Sequence, residues 1–126
     1  MSLFDKTTDA LASSIQMRQI RHNVTSANIA NAETPHYHAK KVDFENALAS
    51  ALETEGIVGD HLGGSPVKNL KADVYENPDV AVNNDGNTVD LEKEMSALSE
   101  NSIMYKTALQ LINKKMAALK YALGER

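Results

Sequence analysis

The longest regular pattern of apolar positions lies at the C-terminal end. Leu91, Met95, Leu98, Ser102, Tyr105, Leu109, Ile112, Met116, Leu119 and Leu123 recur at alternating steps of four and three, and only Ser102 interrupts the apolar run. A sustained heptad of this kind predicts a helix with a coiled-coil seam. At 1.5 Å per residue the helix would span about 50 Å. A weaker stripe of Ala97, Met104, Ala108, Leu111, Ala118 and Ala122 runs beside it, with small residues that allow close packing of a second neighbour. Asp90, Glu92 and Glu94 come early and Lys114, Lys115 and Lys120 late, the order that suits a helix dipole. Asn87 or Thr88 is the expected cap.

A second helix is predicted over residues 3 to 31. Phe4, Leu11 and Ile15 share one face, and Met17, Ile20, Val24 and Ala27 share another. At about 100° per residue, Leu11 and Ile15 point nearly opposite to Ile20 and Val24. A helix packed on one partner keeps one stripe. A change of stripe implies different neighbours along its length. The helix ends in Val24-Thr25-Ser26-Ala27-Asn28-Ile29-Ala30-Asn31-Ala32-Glu33-Thr34-Pro35-His36-Tyr37. Small Ala and Ser residues here let another backbone approach. Asn28 and Asn31, three apart, fall on one face. Asn tolerates the conformation that ends helices, and Pro35 drives Thr34 out of the helical region.

Between these ends the pattern weakens. Residues 37 to 42 read as extended. Asp43 is placed to cap a short amphipathic helix carrying Phe44, Ala47, Leu48, Ala51 and Leu52. Gly56, Gly59, Gly63, Gly64 and Pro66 predict a loop. Leu70, Ala72 and Val74 alternate with polar residues, as do Val80 and Val82 beyond Asn77-Pro78-Asp79. That reads as a small β-hairpin, or as an irregular loop. Asn83-Asn84-Asp85-Gly86 is a turn. The predicted fold is mainly α, with two long terminal helices pairing as a coiled coil around a small irregular middle segment. The boundaries read as 1–34, 35–86 and 87–126.

Composition narrows the classes. The chain has 126 residues, enough for one ordinary domain, but aromatic residues make up only 5% and Trp is absent, which is thin for a self-sufficient core. A net charge of −4 argues against general nucleic-acid binding. No apolar run approaches the roughly 20 residues of a membrane span. The first residues, Met1-Ser2-Leu3-Phe4-Asp5-Lys6, lack the basic-then-apolar order of a cleavable signal peptide. With no Cys there is neither a disulfide framework nor a thiolate metal site. Taken alone, these features point to the cytoplasm.

Candidate chemistry is sparse. His36 and His38 flank Tyr37 and could touch one metal ion, but no third ligand lies near in sequence. His22 and His61 are isolated. Asn83, Asp85, Gly86 and Glu92 match four positions of a calcium-binding EF-hand loop, yet Ala81 occupies the first ligand position and cannot ligate. Thr7-Thr8 and Ser13-Ser14 have no adjacent base, and there is no Gly-rich phosphate loop. No catalytic, cofactor or metal residue is assigned, and no enzymatic activity is expected.

Ala27-Asn28-Ile29-Ala30-Asn31-Ala32-Glu33-Thr34-Pro35-His36-Tyr37 resembles the ANxAN-x-x-TPGY signature of bacterial flagellar rod and hook proteins. Asp85-Gly86-Asn87-Thr88-Val89-Asp90-Leu91-Glu92-Lys93-Glu94-Met95, then Leu98, Glu100-Asn101-Ser102 and Tyr105, is similar to the C-terminal signature of the proximal-rod branch of that family. The family's usual Gly is His36 here. If that Gly serves a positive backbone angle, His36 must accept strain or the turn must differ.

The resemblance implies a structural subunit of the proximal rod, built into a hollow shaft that transmits torque around the export channel. It implies Asn28, Asn31, Thr34, Pro35 and Tyr37 as motif residues. The contact residues would be Phe4, Leu11, Ile15, Ile20, Val24, Ala27, Leu91, Met95, Leu98, Tyr105, Leu109, Ile112, Met116, Leu119 and Leu123. Implied partners are further copies of the chain, the rod proteins FlgC and FlgF, the adaptor FliE, the MS-ring protein FliF and the flagellar type III export apparatus. Export would be unfolded and without cleavage, placing the subunit in the basal body within the periplasm. The alternatives are a sister rod protein or a generic coiled-coil adaptor. Fully burying a Leu or Ile is worth about 1.5–3 kcal/mol, so stripes left in water would make the lone subunit marginal.

Overall fold

The computed structural model describes residues 6–58 and 70–124. Its elements are α1 (Lys6–Ala30), β1 (Lys40–Asp43), α2 (Glu45–Val58), β2 (Asp73–Glu76) and α3 (Leu91–Ala122). The two long terminal helices are present and pack on one another. They run antiparallel, since Arg18 of α1 meets Asn101 of α3 while Asn31, just past the end of α1, meets Asn87, just before α3. Phe4 and His61, and the glycines from Gly59 to Gly64, lie outside the described residues. Gly56, expected in that loop, falls inside α2.

The small core is as polar as it is apolar. Met17, Val42, Phe44, Ala51, Val89 and Ala108 are buried, and so are Thr8, Ser13, Thr25, Asn28, Asn87, Thr88 and Asn101. Phe44 is the largest apolar side chain buried outright, and the guanidinium groups of Arg18 and Arg21 lie over its ring at 5.1 and 4.7 Å. Cation–π contact therefore fastens the start of α2 to the middle of α1. Arg21 extends the clamp, donating to the carbonyl of Val42 at 2.6 Å and to both oxygens of Glu45. Along α1, the buried residues Ser13, Met17, Thr25 and Asn28 fall within about 120° of one another, whereas Thr8 lies about 180° from Met17, on the side of Leu11 and Ile15.

The middle segment holds an antiparallel two-stranded ribbon, but its pairing differs from the expected hairpin. β2 pairs with β1, with Lys40 opposite Glu76 and Val42 opposite Val74. Residues 79 to 82 form no strand. The physical reason is anchorage. β1 is held on its other edge by Asn28, which bonds both the N–H and the carbonyl of Lys40, so a fixed template is ready for residues 73–76. Val82 stays exposed and has nothing to pair with in register.

Two caps also differ. α3 is capped by Asp90, whose carboxylate accepts from the N–H of Lys93, rather than by Asn87 or Thr88. Those two are turned into the interior instead. At α2 the cap position is Phe44, whose N–H donates to Glu45, while the carboxylate of Asp43 takes the hydroxyl of Tyr75 across the ribbon.

Candidate interaction site at the helix junction

The motif residues converge where α1 ends and α3 begins. The amide of Asn28, almost fully buried, uses both ends. Its Oδ1 accepts from the Tyr37 hydroxyl at 3.1 Å and the Lys40 N–H at 3.0 Å, and its Nδ2 donates to the Lys40 carbonyl at 2.8 Å. Its amide also lies near the carboxylate of Glu94 on α3 and favours the charged form. Asn31 acts one turn later, closing its own helix by donating to the Ala27 carbonyl at 2.8 Å and accepting from Thr34 Oγ1 at 3.1 Å. The two Asn residues therefore divide the work: one looks inward and the other caps. Pro35 is exposed in the turn that follows.

Asn87 completes the junction from the other end of the chain. It is 0% exposed and donates through Nδ2 to the carbonyls of Asn31 at 2.8 Å and Thr34 at 2.7 Å. Its Oδ1 accepts from the N–H of Val89 at 2.7 Å. Both carbonyls already accept a local turn bond, so Asn87 fills the second acceptor site of each from more than 50 positions away in sequence. Alongside, residues 36 to 39 run next to residues 85 to 88. The N–H of His36 donates to Asp85, that of Thr88 to Tyr37, and that of Ala39 to Thr88 Oγ1. His36 has a φ of 61°, the one positive value among the described non-glycine residues. The turn is therefore the left-handed one that a Gly would adopt freely, with His36 accepting the strain.

Burial shifts two acids here. Burial pushes the Glu94 carboxyl up from its ordinary value, against the pull of the nearby Asn28 amide, and also raises the Tyr37 hydroxyl. The Arg21 clamp holds Glu45 down at about 2. A cleft of 410 Å³ beside the junction interleaves Arg18, Arg21, Lys40, Lys41 and Lys93 with Asp43, Glu45, Glu94 and Glu100, so it presents no field of one sign. His36 and His38 find no third ligand, and among the described residues no group of three His, Asp or Glu could hold a metal. No described helix is long and apolar enough to cross a membrane.

The expected contact residues split into groups. Leu11, Ile15, Ile20 and Val24 of α1 are half-buried, and Ala27 is exposed. On α3, Leu98, Tyr105, Leu109, Ile112, Met116 and Leu119 are half-buried. Leu91, Met95 and Leu123 are exposed, by 45%, 55% and 64%. The residues that α3 buries most deeply are Asn101 and Ala108. Asn101 was not legible as a site residue from its type. Its place in the Glu100-Asn101-Ser102 piece of the C-terminal signature, and its position seven before Ala108, were the signals.

Fold and junction together define a helical structural subunit whose two ends are tied through a polar knot and whose longest apolar ladder is only partly covered. A family model described as flagella basal body rod protein matches residues 9–37, the stretch that contains most of α1 and the knot's first half. The chain is 35% identical to the flagellar basal body rod protein FlgB of Bacillus subtilis, over 98% of this chain and 97% of that one. It is 36% identical to FlgB of Aeromonas hydrophila over the same shares, and 34% identical to FlgB of Cereibacter sphaeroides over 89% of each chain. The chain belongs to the FlgB family of flagellar basal body rod proteins.

Proposed function

We propose that this chain is a structural subunit of the proximal rod and assembles laterally through α1 and α3. The observation that carries this reading is the exposed start of the α3 ladder. Leu91 and Met95 continue the heptad but stand in water in the single subunit. Apolar area of this kind gains about 25 cal/mol per Å² when a neighbour covers it. The terminal stretches 1–34 and 87–126 would form the inner layer of a hollow shaft around the export channel, with 35–86 outside. Torque then passes through packed helices, and the product of the protein is stiffness rather than chemistry. Its neighbours are copies of itself, FlgC, FlgF, FliE and FliF, reached in the periplasm after passage through the export apparatus without cleavage.

The test is Met95→Asp in a strain lacking the chromosomal copy. The side chain is exposed, so the subunit should fold and be made at normal level. A buried charge at a subunit contact should abolish rod assembly and swimming. Normal swimming by this variant and by Leu91→Asp would sink the reading.

A further inference from the structure

On α3, Asn101 is turned onto α1 and bonded to Arg18, while the start of the apolar ladder, Leu91 and Met95, is exposed. Glu94, Asn101, Ala108 and Lys115, one residue in seven, are each buried or half-buried. At about 100° per residue, Leu91 and Leu109 lie about 80° from Asn101, Met95 about 120°, and Ile112 and Leu119 about 20° or less. Both lines repeat every seven residues, so both drift about 20° per heptad and keep their spacing, and the later ladder residues Ile112 and Leu119 come round to the side on which Asn101 lies. Rolling α3 by about 60–80° would point the start of the greasier ladder at α1. The molecule does not adopt that arrangement.

We infer that Asn101 and Arg18 are positioning residues that hold α3 in this roll and keep the start of its apolar ladder, Leu91 and Met95, free. Asn101 Nδ2 donates to the backbone carbonyl of Arg18 at 2.7 Å, and its Oδ1 accepts from the Arg18 guanidinium at 3.3 Å. Asn101 is 2% exposed, so breaking both bonds would leave a buried amide unsatisfied. Arg18 cannot follow it, since its guanidinium is held over Phe44 and lies 4.0 Å from Glu45. Glu94, seven residues before Asn101 on the same line, is half-buried as well. A single polar residue in a helix seam commonly fixes one arrangement at a cost in stability. Here it fixes which side of α3 remains for others. The consequence for assembly rests on the proposed rod function. The roll itself does not.

The chain has no Cys, so single introduced thiols report cleanly. Met95→Cys and Met104→Cys lie on opposite flanks of the Asn101 line, about 120° one way and about 60° the other. Maleimide labelling of the full-length subunit is followed at each site, with circular dichroism confirming the helices. In Asn101→Leu, and independently in Arg18→Met, the thiol of Met95→Cys should label several-fold more slowly and that of Met104→Cys faster. Asn101→Asp keeps an acceptor for the Arg18 guanidinium but sets a carboxylate oxygen against the Arg18 carbonyl, so it should label between the parent and Asn101→Leu. Unchanged rates, or parallel changes at both thiols, in both Asn101→Leu and Arg18→Met would overturn the proposal. Such a result would leave the swimming test of Met95→Asp untouched. Normal swimming by Met95→Asp would equally leave the labelling result standing.

Discussion

The imidazole of His36 occupies the space that a side chain on Gly86 would need. A Cβ built on Gly86 comes within 2.5 Å of His36 Nδ1, and both residues have positive φ, 79° for Gly86 and 61° for His36. Each turn thus leans on the other. Gly86→Ala should destabilise the subunit by about 1–2 kcal/mol from backbone strain alone, with the ring contact added. His36→Gly should be neutral or mildly stabilising. Combined with Gly86→Ala it should recover the contact part but not the strain. A double-mutant cycle by thermal unfolding separates the two.

Asn87→Ala should be among the most damaging single changes in the chain. It removes the donor that ties the carbonyls of Asn31 and Thr34 together, and it leaves the N–H of Val89 without its acceptor in a buried site. A buried group left unsatisfied costs about 1–3 kcal/mol. Asn87→Asp should not rescue, because a carboxylate would face two carbonyl oxygens without a proton to donate. Melting temperature reads both variants.

The pH dependence should have two opposed parts. Glu45 is held at about 2 against an ordinary 4.5, first by the hydrogen bond from Arg21. A lowered carboxyl stabilises the fold above its unfolded value and loses that stabilisation as pH falls from 4.5 towards 2. Glu45→Gln should flatten the acid limb of stability over that window. Glu94 is raised, chiefly by burial, so its contribution is best at low pH and declines as pH rises through 4.5 and above. Glu94→Gln should therefore stabilise at neutral pH and make little difference in acid well below the ordinary carboxyl value. Urea unfolding across pH checks both signs.

Leu109→Asp should behave differently from a charge at the exposed start of the ladder. Leu109 is half-buried beside α1, so the carboxylate would disturb the subunit itself as well as any neighbour. Expected outcomes are a lower melting temperature and loss of swimming together. Full swimming with an unchanged melting temperature would show that the ladder's register has been misassigned.

Both terminal helices were legible because their periodicity is local. A heptad over thirty residues and a polar-rich helix ending at Pro35 need no knowledge of what they touch. The motif was legible too, including the question raised by His36 in place of Gly, which its positive φ answers. The short helix with Phe44 on its buried face followed from spacing alone. The ribbon's pairing did not. Val80 and Val82 alternate as well as residues 40–43 do, but only the latter have Asn28 and Arg21 waiting on the far edge.

By itself, the sequence determined that two long helices form, that the first stops before Pro35, and that the second carries a long apolar ladder. Only the tertiary structure decided that Asn87 ties the end of α1 to the start of α3 and that α3 meets Arg18 of α1 through Asn101. The reason is that hydrophobic pattern is additive along the chain and can be read residue by residue. A buried amide's partners are set by distances across the fold, where rolling one helix by about a fifth of a turn changes which groups meet.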